Sequence, residues 1–418
     1  ARHLDRDREE VAQVWRSPGD VLQLAGRYGP ASDAYVRAHG MLADPLDRAE
    51  VMLARARSAA QSGSYRPALG LLTRARRSLV GDTRVEARKT DARLAAYAST
   101  TRIYQQRFEQ ALAAAVEAIE TARAADEPAA LAVAMQRHDI AQLMLGRFDE
   151  ARYLAEAARI FTDLGDLASQ ASVTSALGGQ AYLLGQWSRA REYYEETERT
   201  DAMSGNEAGS ASAAANLAEV LVNQRRFDEA VEILTAARRT ALASEYFDLL
   251  PFVGLNLGRA LAGAGRLAPA EAALRETVER AESLGQAMHA AEARLDLAAV
   301  LLDRGDPGGA EAVWDDVPED MRMRFSPASA LVEAKRERRR TGRAGARASA
   351  VASIERLRGA VADFELIPLL VYARTVADED ATSSEVSDEL SVLAARYDVV
   401  IDVVAEASGQ RQWGSSSP

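Results

Sequence analysis

The sequence contains no cysteine, and only Lys89 and Lys335 are lysines among 51 basic residues. Without cysteine, the chain forms no disulfide and offers neither a thiolate metal site nor a cysteine nucleophile, which fits a reducing compartment. Neither lysine stands in the glycine-rich frame that a P-loop requires, so nucleotide hydrolysis of that kind is excluded. These absences leave few routes to a catalytic function.

Long apolar runs are also missing, because none approaches the roughly 18 residues that a membrane span needs. The first residues, "ARHLDRDREE", are charged and lack the apolar core of a signal peptide. Ala1 stands where an initiator methionine would, which indicates a processed chain or an excised fragment. We therefore expect a cytoplasmic protein with no membrane partner.

The net charge of −11 disfavours nucleic acid as a partner, because phosphates would be repelled by the chain as a whole. One local exception is the run "KRERRRTGR", Lys335 to Arg343. It lacks interleaved aromatic residues for base stacking, and cations are common at the C-terminal ends of helices. Two interpretations stay open: a solvated helix end, or a docking site for phosphates or an acidic partner.

What the sequence does have is a repeat. The pentapeptide Arg-Phe-Asp-Glu-Ala occurs at 147–151 and again at 226–230. Similar phrases ending in alanine recur at a spacing of 37 to 43 residues, mostly 40, and their marker residues are Ala31, Ala68, Ala111, Ala151, Ala190, Ala230, Ala270 and Ala310. Eight phrases at so regular a spacing indicate a repeat architecture.

Each unit reads as two helices of about 16 residues, for example 208–224 and 228–244. Gly165, Gly205 and Gly285 mark one turn of the unit, and Glu245 stands where a fourth glycine would fall. A helix hairpin cannot cover its own apolar face, so neighbouring hairpins must stack. The predicted fold class is all-α, a right-handed α-solenoid with the first helix of each pair lining a concave groove.

This pattern resembles the tetratricopeptide repeat (TPR), whose usual period is about 34 residues. From Val21 to Val317, the order of phrases such as "GDVLQLAGRYGPASDAYVRAH" and "NLAEVLVNQRRFDEA" resembles the C-terminal TPR region of bacterial adenylate/guanylate cyclase-like proteins. Those proteins carry a cyclase domain and a nucleotide-binding ATPase module before the array. The resemblance implies a protein–protein interaction, sensor or scaffold module of a larger signalling regulator.

We predict three regions. Residues 1–317 form the array of about eight units, 318–405 form degenerate terminal or capping helices, and 406–418 form a disordered tail. We also predict that Ser17 caps a new helix that starts at Pro18, because proline breaks a helix from within but is tolerated at its first position.

No catalytic or cofactor site is expected. His3, His39, His138 and His289 are too scattered for a metal pair. As neighbours along a helix, His138 and Asp139 are predicted to point to different sides of it. The chain is therefore predicted to be neither an enzyme nor a metalloprotein, and it needs no cofactor.

The remaining functional surface is the groove. In repeats of this type, one offset in the first helix faces the concave side, and there an asparagine commonly binds the backbone of an extended peptide. The partner-binding residues predicted on this basis are Arg137, Asn216, Asn256 and Asp296 at that offset, with Glu219, Asn223, Arg259 and Asp303 nearby. Alternatively, Asn216 and Asn256 serve contacts within the array.

The expected partner is a protein or peptide segment in this groove. An intramolecular clamp on missing N-terminal ATPase or effector domains is an alternative, and so is nucleic-acid binding through 335–343. An all-α enzyme would need convergent titratable groups, for which the sequence offers no cluster.

Overall fold

The computed structural model describes residues 14–23, 27–377 and 383–401. Helices and short turns account for these ranges, and no β-strand occurs within them. The tail predicted for 406–418 lies outside the described residues. The chain divides into two compact units, Ala1–Gln180 and Ala181–Pro418, so the boundary predicted at residue 317 falls inside the second unit.

The first unit consists of successive helix hairpins. Their helices are α1 (14–23), α2 (Tyr28–Met41), α3 (Pro45–Gln61), α4 (Tyr65–Ser78), α5 (Val85–Tyr104), α6 (Phe108–Ala125), α7 (Pro128–Met144) and α8 (Leu154–Leu164), with a 3₁₀ turn at Phe148–Glu150. Helix α9 (Leu167–Leu183) follows and ends in the second unit. Helix α1 already includes residues 14–17, so the predicted helix start at Pro18 was wrong.

The second unit continues the pattern with α10 (Trp187–Ser204), α11 (Glu207–Asn223), α12 (Phe227–Ala243), α13 (Leu250–Gly263), α14 (Leu267–Ser283), α15 (Ala287–Arg304) and α16 (Pro307–Asp315). It ends with α17 (Glu319–Arg324), α18 (Ser326–Leu357), α19 (Ile367–Thr375) and α20 (Ser383–Tyr397), and with 3₁₀ turns at Phe247–Leu249 and Asp363–Leu366. Helix α18 is interrupted at Gly342, whose φ is 79°.

Small residues let the paired helices approach closely. Seven of the eight marker alanines are buried, and Ala151 is the exception. First helices of successive hairpins also touch one another, as α5 touches α7 and α11 touches α13, whereas second helices stay further apart. Within each unit, the side lined by first helices is therefore the concave one. The structure confirms the predicted α-solenoid of stacked hairpins.

The turn that ends each second helix also follows the prediction. Gly165, Gly205 and Gly285 adopt φ values of 66°, 73° and 68°, in the left-handed region that glycine tolerates. Glu245, at the equivalent position, has a φ of 55°. The fold therefore imposes a left-handed turn on a residue with a side chain, at a cost in conformational energy.

The two identical pentapeptides fold differently. At 226–230 a regular helix begins at Phe227, as predicted, but at 147–151 a 3₁₀ turn is followed by extended backbone at Ala151 and helix α8 begins only at Leu154. The prediction of a regular second helix at this copy was wrong.

The cause is Asp139 of α7, which is fully buried. Its Oδ2 accepts hydrogen bonds from the amides of Tyr153 and Leu154, so it caps α8 in place of a residue of the local chain. Its Oδ1 lies 2.8 Å from Nδ1 of His138, so the expectation that these neighbours point to different sides was also wrong. The equivalent position in the other copy is Ala218, which carries no acceptor.

The end of the second unit returns to its beginning. The ring of Tyr397 in α20 lies 4.8 Å from that of Trp187, and Phe364 lies 5.3 Å from the same indole. The backbone of Gln224 accepts a hydrogen bond from the amide of Val400 at 2.9 Å. Gly185, with a φ of 72°, lies directly against the Tyr397 ring, where a Cβ would clash. The second unit is therefore closed on itself at this point.

Candidate functional site

Most of the predicted groove residues lie on three first helices of the second unit, α11, α13 and α15, whose concave side we call the inner strip. These helices carry Asn216, Glu219, Asn223, Arg259, Asp296 and Asp303, which are partly exposed, and Asn256, which is buried. Arg137 lies instead on α7 of the first unit. The structure thus brings seven of the eight predicted residues onto three successive first helices.

Asn216 and Glu219 are one turn apart on α11, and both side chains are half-buried. Neither forms a hydrogen bond or ion pair with another residue that the structure describes. Burial raises the pKa of Glu219 to about 7; the positive charge of Arg259 opposes this shift and the carboxylate of Glu292 reinforces it. Near neutral pH, Glu219 can therefore act either as a donor or as an acceptor.

Arg259 is bound on both sides by carboxylates of α15. Its Nε donates to Asp296 Oδ2 at 2.7 Å, and its Nη2 donates to Glu292 Oε1 at 2.6 Å. Burial raises the pKa of Asp296, and the Arg259 charge works against that rise. Glu292 was not among the predicted residues, although its position one helical turn before Asp296 indicates that it lies on the same face of α15.

The two asparagines differ in surroundings. Asn256 is only 1% exposed, and its Nδ2 donates to the Phe252 carbonyl of its own helix at 3.2 Å. Its Oδ1 has no hydrogen-bond partner among the described residues. Asn216 is the more accessible of the pair, so equivalence in sequence did not give equivalent exposure.

Asn223 and Asp303, at the ends of their helices, are engaged within the unit. Asn223 Nδ2 donates to the Tyr182 hydroxyl at 2.8 Å, and Asp303 forms an ion pair with Lys335 of α18. Burial raises the pKa of Tyr182 well above its usual value, and the nearby Glu219 carboxylate adds to the rise. The site thus continues from α11 to the aromatic rings at the closure of the unit.

The basic run 335–343 is largely used for internal contacts. Arg336 pairs with Glu311 at 2.6 Å, and Arg339 donates to the Leu302 carbonyl at 3.3 Å. Arg343 donates to the carbonyls of Thr375 and Ala377 at 3.1 and 3.0 Å. These bonds join α18 to its neighbours, which favours a structural role for the run over phosphate docking.

Across residues 14–23, 27–377 and 383–401, no group of three or more histidine or acidic side chains is arranged to hold a metal ion. Nor does any helix in these ranges have the length and apolarity needed to cross a membrane.

Comparison with known proteins agrees with the fold. Residues 210–244, which cover most of the α11–α12 hairpin, match the tetratricopeptide repeat family model. A search of curated protein sequences found no match to the chain.

Several solved structures are similar in fold. A Rap protein complexed with Competence and Sporulation Factor gives a TM-score of 0.55 at 12% identity, covering 92% of this chain and 99% of that one. The apo form of the quorum sensor NprR from B. thuringiensis gives 0.53 at 13% identity, covering 75% and 88%. Apo RapI gives 0.51 at 14% identity, covering 66% and 99%. At these identities the likeness concerns the fold alone.

Proposed function

We propose that the chain is a non-enzymatic protein–protein interaction or sensor module that binds an extended protein or peptide segment along the inner strip. The observation that carries this proposal is the pair Asn216 and Glu219. Both side chains are half-buried on a concave surface, and neither has a hydrogen-bond partner among the described residues. Both side chains therefore remain available to a partner, and a bound backbone would replace the water that solvates them.

The chemistry of the pair suits an extended backbone. The Asn216 amide offers an acceptor and two donors, so it can bond both the N–H and the C=O of one residue. Glu219, with its pKa near neutrality, can accept from an amide or donate to a carbonyl according to its protonation state. The Arg259–Asp296–Glu292 cluster beside it is fixed by its own bonds and would bound the site on the α13 side.

The solved structures of similar fold support a ligand-binding role by analogy, since one was solved with Competence and Sporulation Factor and another is a quorum sensor. We further propose that the module belongs to a larger intracellular signalling regulator, of the cyclase–ATPase–TPR type that the sequence resembles. In that setting, ligand binding in the strip would be transmitted to an effector domain.

A peptide-display selection tests the proposal. A library of random nine-residue peptides is selected on the full chain, and the enriched peptides are then measured against the double variant Asn216→Ala, Glu219→Ala. We expect binding to weaken roughly ten- to a hundred-fold, because about 1 kcal/mol is lost for each hydrogen bond to the partner. The matched control is Glu232→Ala, which truncates an exposed glutamate of α12.

The control should bind as the wild type does, and circular dichroism should show all three proteins equally folded. If no peptide is enriched, or if the enriched peptides bind the double variant as tightly as the wild type, the inner strip is not the binding surface.

A further inference from the structure

The inner face of the first unit contains an arginine that lacks an acidic partner. Arg137 of α7 is half-buried, and its Nε donates to Thr100 Oγ1 of α5 at 3.1 Å. No carboxylate in the described part of the chain pairs with it. Burial lowers the pKa of Arg137, and the groups that oppose this shift are the hydroxyls of Tyr104 and Tyr97.

A second unpaired arginine lies on the other side of Tyr97. The guanidinium of Arg57, in α3, is 5.6 Å from the centroid of the Tyr97 ring, and it forms no ion pair with the residues described. By contrast, the neighbouring Arg93 pairs with Glu50 at 3.5 Å and with Glu127 at 3.6 Å. Acidic partners are thus present on this surface but are directed to Arg93.

Tyrosine hydroxyls complete the surroundings. The pKa of Tyr97 is raised by burial and by the neighbouring hydroxyls of Tyr104 and Tyr28, while Arg57 and Arg137 lower it. On α5, Thr100, which accepts from Arg137, and Tyr104 stand one and two turns after Tyr97 on the same face, and α3 and α7, which carry Arg57 and Arg137, both contact α5. No hydrogen bond links any of the three hydroxyls to another residue that the structure describes. We call these five residues the arginine–tyrosine cluster.

We propose that the arginine–tyrosine cluster is an oxyanion-binding site that takes the carboxylate or phosphate group of a ligand. Planar guanidinium groups bind both groups through two parallel N–H···O bonds, and phenol hydroxyls add further donors. A half-buried cation without a counter-ion is unfavourable, and a bound oxyanion would supply the missing charge. The chain as a whole carries a net charge of −11 and repels anions, so an anion is attracted only where a positive site such as this one lacks a counter-ion.

This site is separate from the inner strip of the second unit, so its test does not depend on the proposed function. The two sources of the oxyanion differ in the strength and geometry of the same bonds. A phosphate offers three acceptor oxygens and up to two charges, whereas a carboxylate offers two oxygens and one charge.

The test measures the affinity of the full chain for three short peptides by isothermal titration calorimetry at constant ionic strength. The peptides share the sequence Gly-X-Gly, are acetylated and amidated, and carry phosphoserine, glutamate or glutamine at X; inorganic phosphate serves as competitor. We expect saturable binding of the phosphoserine or the glutamate peptide and at least tenfold weaker binding of the glutamine peptide. The tighter of the first two identifies the source of the oxyanion.

Two variants and a control locate the site. Arg137→Gln should weaken binding of the anionic peptide at least tenfold. Arg57→Gln, whose arginine is more exposed, should weaken it about threefold or more. Arg66→Gln removes an equal charge from an exposed position of the same unit and should change the affinity less than twofold. Arg137→Lys keeps the charge but loses the planar pair of N–H donors, so its affinity for the anionic peptide should lie between those of the wild type and Arg137→Gln.

Two results would overturn the proposal. One is that neither anionic peptide nor inorganic phosphate binds the wild type saturably. The other is that Arg66→Gln weakens binding as much as Arg57→Gln and Arg137→Gln do, because the attraction would then be general electrostatics. Arg137→Gln removes the uncompensated charge and should leave the melting temperature unchanged or raise it. If Arg137→Gln nevertheless unfolds, Arg57→Gln still tests the site.

Discussion

Replacing Glu219 with glutamine should make the stability of the protein less dependent on pH. The pKa of Glu219 is raised from its ordinary value of 4.5 to about 7, chiefly by burial. Below pH 4.5 the carboxyl is protonated in both the folded and the unfolded chain. Between pH 4.5 and 7 the folded chain keeps the proton and the unfolded chain loses it, so the free energy of unfolding falls as the pH rises.

The size of the effect follows from the shift. One pKa unit corresponds to about 1.4 kcal/mol, so a rise from 4.5 to about 7 corresponds to roughly 3 kcal/mol if it is fully realised. Because the side chain is only half-buried, solvent screening reduces this value, and we expect about 1 to 3 kcal/mol. Glu219→Gln should therefore be more stable than the wild type at pH 8 by that amount, and nearly equal to it at pH 4.5.

Urea unfolding followed by circular dichroism, from pH 4.5 to 8.5, measures the difference. Other acidic groups with raised pKa values, such as Asp296, contribute to both proteins and largely cancel in the difference. Glu232→Gln controls for the loss of a surface charge and should show no such trend. A difference between wild type and Glu219→Gln that is constant over this pH range, or that shrinks toward pH 8, would refute the reasoning.

Three further changes test single features of the fold. Asp139→Ala removes the buried acceptor of two α8 amides and should cost about 2 to 4 kcal/mol in urea unfolding; a loss below about 0.5 kcal/mol would contradict the capping role. Glu245→Gly relieves a left-handed residue and should gain about 1 kcal/mol, seen as a higher melting temperature, whereas a lower one would contradict the strain argument. Tyr397→Ala should cost about 3 kcal/mol in urea unfolding; a loss below about 0.5 kcal/mol would show that the closure does not form.

The sequence predicted the repeat because the stacked hairpins are periodic. Each unit needs small residues where helices cross and a left-handed residue where the second helix ends, and these needs recur about every 40 residues. The same period places Asn216, Asn256 and Asp296 at one position of three successive first helices, 40 residues apart. A periodic signal therefore locates a helix face as well as a fold.

Side-chain interactions that occur once carry no such signal. The capping of α8 by Asp139 depends on one buried carboxylate in one unit, and the pentapeptide it reshapes is identical to a regular copy. The burial of Asn256 and the pairing of Arg259 with Glu292 depend on packing between helices, which a one-unit offset does not specify. The return of Tyr397 to Trp187 joins distant segments whose sequences show no relation to each other.

That return has a consequence for synthesis of the chain on the ribosome. The side chain of Gln224 donates to the carbonyl of Tyr397, 173 residues later. At a synthesis rate of 5–20 residues per second, this carbonyl emerges roughly 10 to 35 s after its partner. Throughout that interval the surface around Trp187 lacks its cover, while hairpins between the two segments can already stack on their neighbours. The nascent chain thus carries an exposed aromatic patch, open to chaperones or to association with other nascent chains, until α20 is made.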